Sequence, residues 1–526
     1  MRCVWADALM LGRGGFFSVV VYDDFHRREV GDDELQSVPA ENYPMSVAQL
    51  PIFPPASLTP QLAADIQRVF AAQQYTALAL RSSSVEQRIA KLKRLRAVLM
   101  EHRDAVVEAA AKDFKRPAVE VDFTELMPVI MDISDYCKRL NKWLKPRRVR
   151  PSMMMLGTRA WVRYEPRGRC LIIAPWNYPV TLTLGPLIPA IASGNTVMIK
   201  TSEIAPNLST VLVKIIRQVF DETEVAVFEG DATVAQALLE LPFDHCFFTG
   251  APSIGKVVMT AAAKHLTSVT LELGGKSPVV VDRSADIELA AKTIAWGKFI
   301  NAGQTCIAPD HIYVHSSIKD QFVQRVSAHL TEWYGEGMAA KGAELSRVIN
   351  VRHSQRVASL IDDAKERGAR VIYGGAVDID AHFVSPTLLD NIPDDARIMH
   401  EEIFGPLLPI ISFETVDEVI WRINAAPKPL ALYIWSKDNA SADSIIARTS
   451  AGGTCVNHIA AHFLHHNLPF GGVNNSGIGS YHGEWGIRAF SHERAIVKTQ
   501  VLTASLFFPP YKPRVRKILG WMLKHL

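Results

Sequence analysis

The chain is poor in cysteine, and its cysteines are placed where none can act together. There are 6 in 526 residues, Cys3, Cys137, Cys170, Cys246, Cys306 and Cys455, and no two form a C-x-x-C pair. That excludes a zinc knuckle and a disulfide framework. Thiols so dispersed fit a reducing cytoplasm. No apolar run reaches the length of a membrane span. The short run 16–22 leads into two acidic residues instead of a small-residue cleavage site, which makes it a poor secretory signal. The central chain has no block of Lys and Arg interleaved with aromatics, and a net charge of +3 adds no case for a nucleic-acid partner. Internal repeats and low-complexity tracts are also missing.

What is present is ordinary globular material. Hydrophobic residues make up 48% and charged residues 21%, enough for a sizeable core, and the length fits two to four domains. Residues 1–44 lack pattern. They are expected to be a disordered tail, or the product of a start read too early with Met45 as the true start.

From Ala63 to about Lys145, apolar residues recur at three- and four-residue spacing, as in Arg88–Glu101 and Ala105–Asp113, which predicts helices. Pro146–Pro166 alternates and predicts a strand or hairpin. Short apolar runs then alternate with helix-like stretches: Cys170–Ala174, Thr196–Ile199, Glu224–Phe228, Cys246–Phe248 and Val269–Leu273. Such alternation implies βαβ units and a parallel sheet. A second alternating region runs from Ser277 to about Leu468, with strands at 279–281 and His311–Val314 and helices at Ile287–Phe299 and Lys319–Leu330. The tail 509–526 carries a short basic amphipathic helix. The favoured reading docks it on the same or a neighbouring subunit, and the alternative is peripheral contact with a membrane surface.

Two residues carry the chemistry. Cys306 sits in Gly303-Gln304-Thr305-Cys306, 34 residues after Glu272 in Glu272-Leu273-Gly274-Gly275-Lys276. A deprotonated thiol is the strongest nucleophile among side chains near neutral pH, and a carboxylate is a base for thiol or water. The glutamate ends the first α/β region and the cysteine heads the second, so a site shared by them lies at a domain interface. Phe247–Lys256 runs from strand through Gly250 and Gly255 into a helix, a place where backbone N–H groups attract phosphate. It nearly spells a P-loop, but Val257 replaces the magnesium-binding hydroxyl, which disfavours an ATPase. A dinucleotide pyrophosphate or a plain turn stays open there. Lys200-Thr201-Ser202-Glu203 follows a strand, at the end where open α/β sheets bind ligands. His458, His462, His465 and His466 lack a Cys or acidic companion, so no metal is expected.

Together these runs resemble the NAD(P)-dependent aldehyde dehydrogenases from about residue 60 to the C-terminus. The matching runs are 174–179, Lys200–Glu203, Phe248–Lys256, Glu272–Lys276, Gly303–Cys306 and 402–406, in the family's order. Segments 303–310, 467–473, 476–483, 490–492 and 509–512 are most similar to the class 3 branch of fatty, aromatic and coniferyl aldehyde dehydrogenases. Thr201 stands where that family usually has proline, and Asn474 where glycine is common.

The resemblance implies an α/β fold: a Rossmann-like dinucleotide-binding domain (45–145 and 167–271), an α/β catalytic domain (272–470) and small oligomerisation strands (146–166 and 490–508). It implies oxidation of an aldehyde, of hydrophobic, aromatic or long-chain type, to the carboxylic acid with NAD or NADP. Cys306 is then the nucleophile, Asn177 an oxyanion donor and Glu272 the base for hydrolysis. Trp176, Lys200, Glu203, Thr249, Gly250, Gly255, Leu273, Glu402 and Phe404 are the implied cofactor contacts. Glu203 leans toward NAD, because a carboxylate repels a 2′-phosphate. A cytoplasmic homodimer is expected. Transfer of the acyl group to coenzyme A is the main alternative, and Glu272 argues against it. A cysteine esterase on the same fold is another.

Overall fold

The computed structural model describes residues 58–152, 155, 157–500 and 508–525. The expected tail 1–44, and residues 501–507 of the second oligomerisation segment, lie outside the described residues. Everything described belongs to the compact unit Pro54–Leu526.

The N-terminal region is helical because its apolar residues fall on one stripe. Helix Val85–Glu101 buries Leu92, Leu95 and Leu99. Its start is set by a capping box: Ser84 Oγ accepts the Gln87 N–H at 3.3 Å, and the Gln87 side chain accepts the Ser84 N–H at 2.9 Å. Helices Arg103–Phe114 and Met127–Trp143 follow. Between them Asp122–Leu126 widens into a π-helical turn, which periodicity does not announce.

The first sheet has six strands. Their spatial order is Gly477–Ile478, Ser268–Leu273, His245–Gly250, Arg169–Ile173, Thr196–Lys200 and Val225–Phe228. Five pair in parallel, and the Gly477 strand joins antiparallel at the edge. Numbered along the chain, the five parallel strands run third, second, first, fourth, fifth. That is the Rossmann-like order, whose direction reverses between Arg169–Ile173 and His245–Gly250; ligands bind at the carboxyl ends of such a switch point. These strands were each legible within two residues of their observed ends.

The second sheet has seven strands, in the order Arg370–Tyr373, Thr387–Asp390, Leu407–Phe413, His311–His315, Pro278–Val281, Ala431–Trp435 and Gly453–Val456. Only the first of these pairs antiparallel. A third, antiparallel sheet joins Arg147–Val149, Thr158–Pro166 and Ser491–Thr499. One buried apolar cluster runs continuously from Ile172 of the first sheet to Val279 and Ile312 of the second, so the two layers share a core. The C-terminal helix Pro513–His525 buries none of its side chains. Ile518, Trp521 and Leu523 of its apolar stripe are exposed on the single chain. No helix among the described residues is long and apolar enough to cross a membrane.

Candidate active site

Glu272 is held near the carboxyl end of its strand, opposite Thr249 on one side and Gly477 on the other. It is 4% exposed, and neither carboxylate oxygen has a hydrogen-bond partner. Burial pushes its carboxyl well above the ordinary carboxylate range.

Cys306 arrives by a different route. Helix Ile287–Phe299 ends, and the chain kinks through Asn301 and Ala302, both with φ near +50°. Gly303 follows at φ +73°, where a Cβ would lie 2.3 Å from the Gly405 carbonyl oxygen. Only glycine fits that approach. Gln304 then acts as a buried peg: its Nε2 donates to Asn301 O at 2.9 Å and Arg347 O at 3.0 Å, and its Oε1 accepts the Ile349 N–H at 2.9 Å. The Tyr178 and Thr305 hydroxyls pair at 2.7 Å, and Tyr433 OH donates to Ile307 O at 2.6 Å. The chain is thus pinned on both sides of Cys306. Burial, and then the charges of Glu402 and Glu272, push the thiol up to about 12. The thiol and both carboxylates share one electrostatic environment.

Cys306, Glu272 and Thr249 line one cavity of about 870 Å³ that includes its open mouth. Its walls are aromatic and aliphatic: Phe123 meets Trp296 at 5.8 Å between ring centroids, and Phe463 meets Phe470 at 5.0 Å. The histidines of 458–466 turn to separate partners. His462 Nδ1 lies 3.0 Å from Cys455 Sγ, His466 pairs with Asp132 at 2.6 Å, and His458 Nδ1 lies 2.6 Å from the Ile459 carbonyl oxygen. Among the described residues no group of three or more His, Cys, Asp or Glu could hold a metal.

Asn177 does not line the cavity. Its side-chain amide donates to Gln304 O at 3.0 Å, which places it against the turn that carries Cys306. One amide hydrogen is used there and the second stays available.

The remaining candidates collect at the carboxyl ends of the strands. Lys200 ends the strand Thr196–Lys200 and pairs with Glu203. Helix Pro252–Ala263 begins without a side-chain cap; Ile254 and Gly255 N–H donate to the Ala251 carbonyl at 3.0 Å, so of its first turn Ser253 N–H is the one facing an anion. A Cβ on Gly250 would strike the Phe248 ring at 2.5 Å, and one on Gly255 would strike Leu273 at 2.8 Å. Glu402 Oε1 is buried without a partner, its carboxyl pushed up to about 8 by burial. A Cβ on Gly274 would lie 2.3 Å from Glu402 Oε2. Phe404 packs edge-on against Trp176 at 5.3 Å.

A family model described as the aldehyde dehydrogenase family matches residues 56–496. The chain belongs to the aldehyde dehydrogenase family. A 4,4'-diaponeurosporen-aldehyde dehydrogenase of Staphylococcus aureus is 41% identical over 81% of this chain and 93% of its own. A dimeric NADP-preferring aldehyde dehydrogenase of Canis lupus familiaris is 40% identical over 82% of this chain and 94% of its own. The substrate-bound structure of Staphylococcus aureus AldH superposes with a TM-score of 0.83 at 38% identity, covering 87% of this chain and 99% of that one.

As an NAD(P)-dependent aldehyde dehydrogenase, the chain oxidises an aldehyde to the carboxylic acid. Its residues fit a nicotinamide dinucleotide. Gly250 and Gly274 lie at the carboxyl ends of neighbouring strands of the first sheet, Gly255 packs on Leu273, and the orphaned Glu402 oxygen belongs to a carboxylate that lies against Gly274.

Sequence reasoning missed the residues that hold the site in shape. Arg116, Glu125 and Asn301 form a buried network behind Asn177. Lys276 and Asp310 anchor the segment carrying Glu402. A lone arginine before Pro117 gives no signal of its own; the π-helical turn that aims Glu125 shows only in three dimensions.

Proposed function

We propose that Cys306 attacks the aldehyde carbon, that Asn177 and the Cys306 N–H receive the developing oxyanion, and that Glu272 activates the water that releases the acid. One observation carries this reading: Cys306 and Glu272 face the same apolar cavity, beside the glycine-lined ends of a Rossmann-like sheet.

The thiol and carboxyl constrain each other. Burial pushes the thiol up to about 12, so attack requires loss of its proton to solvent through the open mouth at the moment of reaction. Glu272, buried and without a partner, is kept for the water of the later step. Attack gives a tetrahedral thiohemiacetal on Cys306, whose oxygen needs donors already aimed at it; losing one costs about a hundredfold or more in turnover. When bound, the oxidised nicotinamide supplies the hydride acceptor and a positive charge. The resulting thioester on Cys306 is then hydrolysed, with Glu272 taking a proton from water. Apolar walls keep other water away from the thioester.

Lys200 and Glu203 would hold the adenosine ribose, and Thr249, Gly250 and Gly255 would lie along the pyrophosphate. Glu402 would take the nicotinamide ribose, with Trp176, Leu273 and Phe404 around the ring. Residues 45–145 and 167–271 thus serve as the dinucleotide-binding domain and 272–470 as the catalytic domain. The aromatic cavity wall favours an aromatic or long-chain aldehyde, in keeping with the diaponeurosporen-aldehyde name of the Staphylococcus relative. A cytoplasmic homodimer is supported by the five described cysteines, all free, and by the dimeric name of the Canis relative. The sheet of Arg147–Val149, Thr158–Pro166 and Ser491–Thr499 would supply its interface, within the segments 146–166 and 490–508.

The test is Cys306→Ala with a panel of aliphatic, benzylic and cinnamyl aldehydes. Formation of NAD(P)H is expected to vanish while the cofactor still binds. Equal turnover in that variant refutes the assignment.

A further inference from the structure

Arg116 is 2% exposed and Glu125 is wholly buried, yet neither lines the cavity. Arg116 Nη1 pairs with Glu125 Oε1 at 2.8 Å. The second nitrogen, Nη2, donates to the Asn177 carbonyl oxygen at 2.7 Å and to Asn301 Oδ1 at 2.6 Å. Asn301 Nδ2 in turn donates to the Asn177 carbonyl at 3.0 Å and to Gln304 O at 3.2 Å. Asn177 closes the ring by donating to that same Gln304 oxygen.

The other oxygen of Glu125 accepts the N–H groups of Val180 and Thr181, both at 3.0 Å. These lie in the first turn of helix Pro179–Ser193, which Tyr178 joins to Asn177. Glu125 itself is aimed by the π-helical turn Asp122–Leu126, a kind of turn that recurs at functional sites. The guanidinium is packed over Phe114 at 4.4 Å and Tyr178 at 5.0 Å from their ring centroids. Three separate stretches of chain (116–125, 177–181 and 301–304) therefore meet on one planar cation.

We propose that Arg116, held by Glu125, is a positioning residue for acylation: it locks the Asn177 backbone to the Asn301–Gln304 turn, so that the Asn177 amide and the Cys306 N–H address the same oxygen. The inference rests on the oxyanion role given to Asn177 above. A forked guanidinium suits this task because one nitrogen meets the carboxylate while the other meets two oxygens from different segments. A lysine in its place keeps the charge beside Glu125 but loses the fork.

The test compares Arg116→Lys, Asn177→Ala and the double variant in the full-length enzyme with saturating NAD. Arg116→Lys is expected to slow the pre-steady-state burst of NADH about tenfold or more, since misplacement of a donor acts on the chemical step. The KM for NAD should hold. In the Asn177→Ala background the same change should cost nothing further, because its target is gone. Asn301→Gly, which keeps the positive-φ conformation and removes the bridging amide, should reproduce the burst defect if Arg116→Lys fails to fold.

A folded Arg116→Lys enzyme with a wild-type burst overturns the proposal. So do losses that multiply in the double variant, or an Asn301→Gly enzyme with an unchanged burst. If Asn177→Ala alone leaves the burst intact, the oxyanion role itself falls and takes this inference with it.

Discussion

Lys276 Nζ lies 2.5 Å from Asp310 Oδ1, and the second oxygen of Asp310 accepts the Ile403 N–H at 2.9 Å. The same lysine donates to Ile398 O at 2.7 Å and Glu401 O at 2.9 Å. One ion pair therefore ties the turn after Glu272 to the loop after Cys306 and to the segment that presents Glu402.

Breaking this knot should cost stability in a pH-dependent way. Burial alone would raise the Asp310 carboxyl, but Lys276, with His311 and Lys298, overrides it and holds the group well below the ordinary range. A depressed carboxylate stabilises the fold above its unfolded value, and that contribution is lost as pH falls. Asp310→Asn should lower stability by about 3 kcal/mol at neutral pH, because it leaves Lys276 unpaired. The gap from wild type should narrow below about pH 4. Urea unfolding midpoints across pH measure it.

Glu272→Gln separates the two halves of the reaction. The first-turnover burst should persist, while steady-state turnover should fall about a hundredfold with the loss of general-base catalysis. Because burial raises the Glu272 carboxyl, wild-type turnover should climb with pH above the ordinary carboxylate range near about 4.3, where the base form appears. The variant should lose that climb. Stopped-flow traces and a kcat–pH profile read both effects, and a burst reduced as much as turnover counts against Glu272 acting in hydrolysis.

Gly274→Ala should injure cofactor binding more than aldehyde binding. The new methyl falls on the Glu402 carboxylate, 2.3 Å from one oxygen and 2.5 Å from the other. Displacing Glu402 should raise the KM for NAD(P) about tenfold, the loss of roughly one good hydrogen bond to a charged group. The KM for a benzylic aldehyde should change far less. Initial rates with each substrate varied in turn decide it.

Trp296→Ala should reshape aldehyde preference. The ring forms an edge contact with Phe123 in the cavity wall. Losing it should reduce kcat/KM for cinnamyl and benzylic aldehydes about tenfold relative to a short aliphatic one, the scale of a lost apolar contact. Equal reduction across the panel would place Trp296 outside substrate discrimination.

The sheets were legible because their signal is local. Each parallel strand is a short apolar run with turn residues beside it, and helix Ile287–Phe299 follows its apolar spacing to the residue. Cys306 and Glu272 stood out as candidates because each sits in a short run with glycine, and Gly303 approaches the Gly405 carbonyl too closely for any Cβ. Asn474 shows how a departure can be silent: it takes φ +54°, a conformation asparagine tolerates almost as well as glycine. What escaped was long-range. Arg116 meets Asn301 across 185 positions, and the π-helical turn that places Glu125 leaves the apolar period almost unchanged. The C-terminal helix shows another limit. Its amphipathic stripe marks a face able to dock, but a stripe does not name the surface that would receive it.

The edge strand Gly477–Ile478 lies beside Glu272, with Ser476 O receiving the Leu273 N–H at 3.0 Å. A ribosome therefore finishes base and nucleophile long before it delivers the piece that closes the border next to them. A chain halted after Cys306 would hold both proposed groups and still lack the strand that borders Glu272.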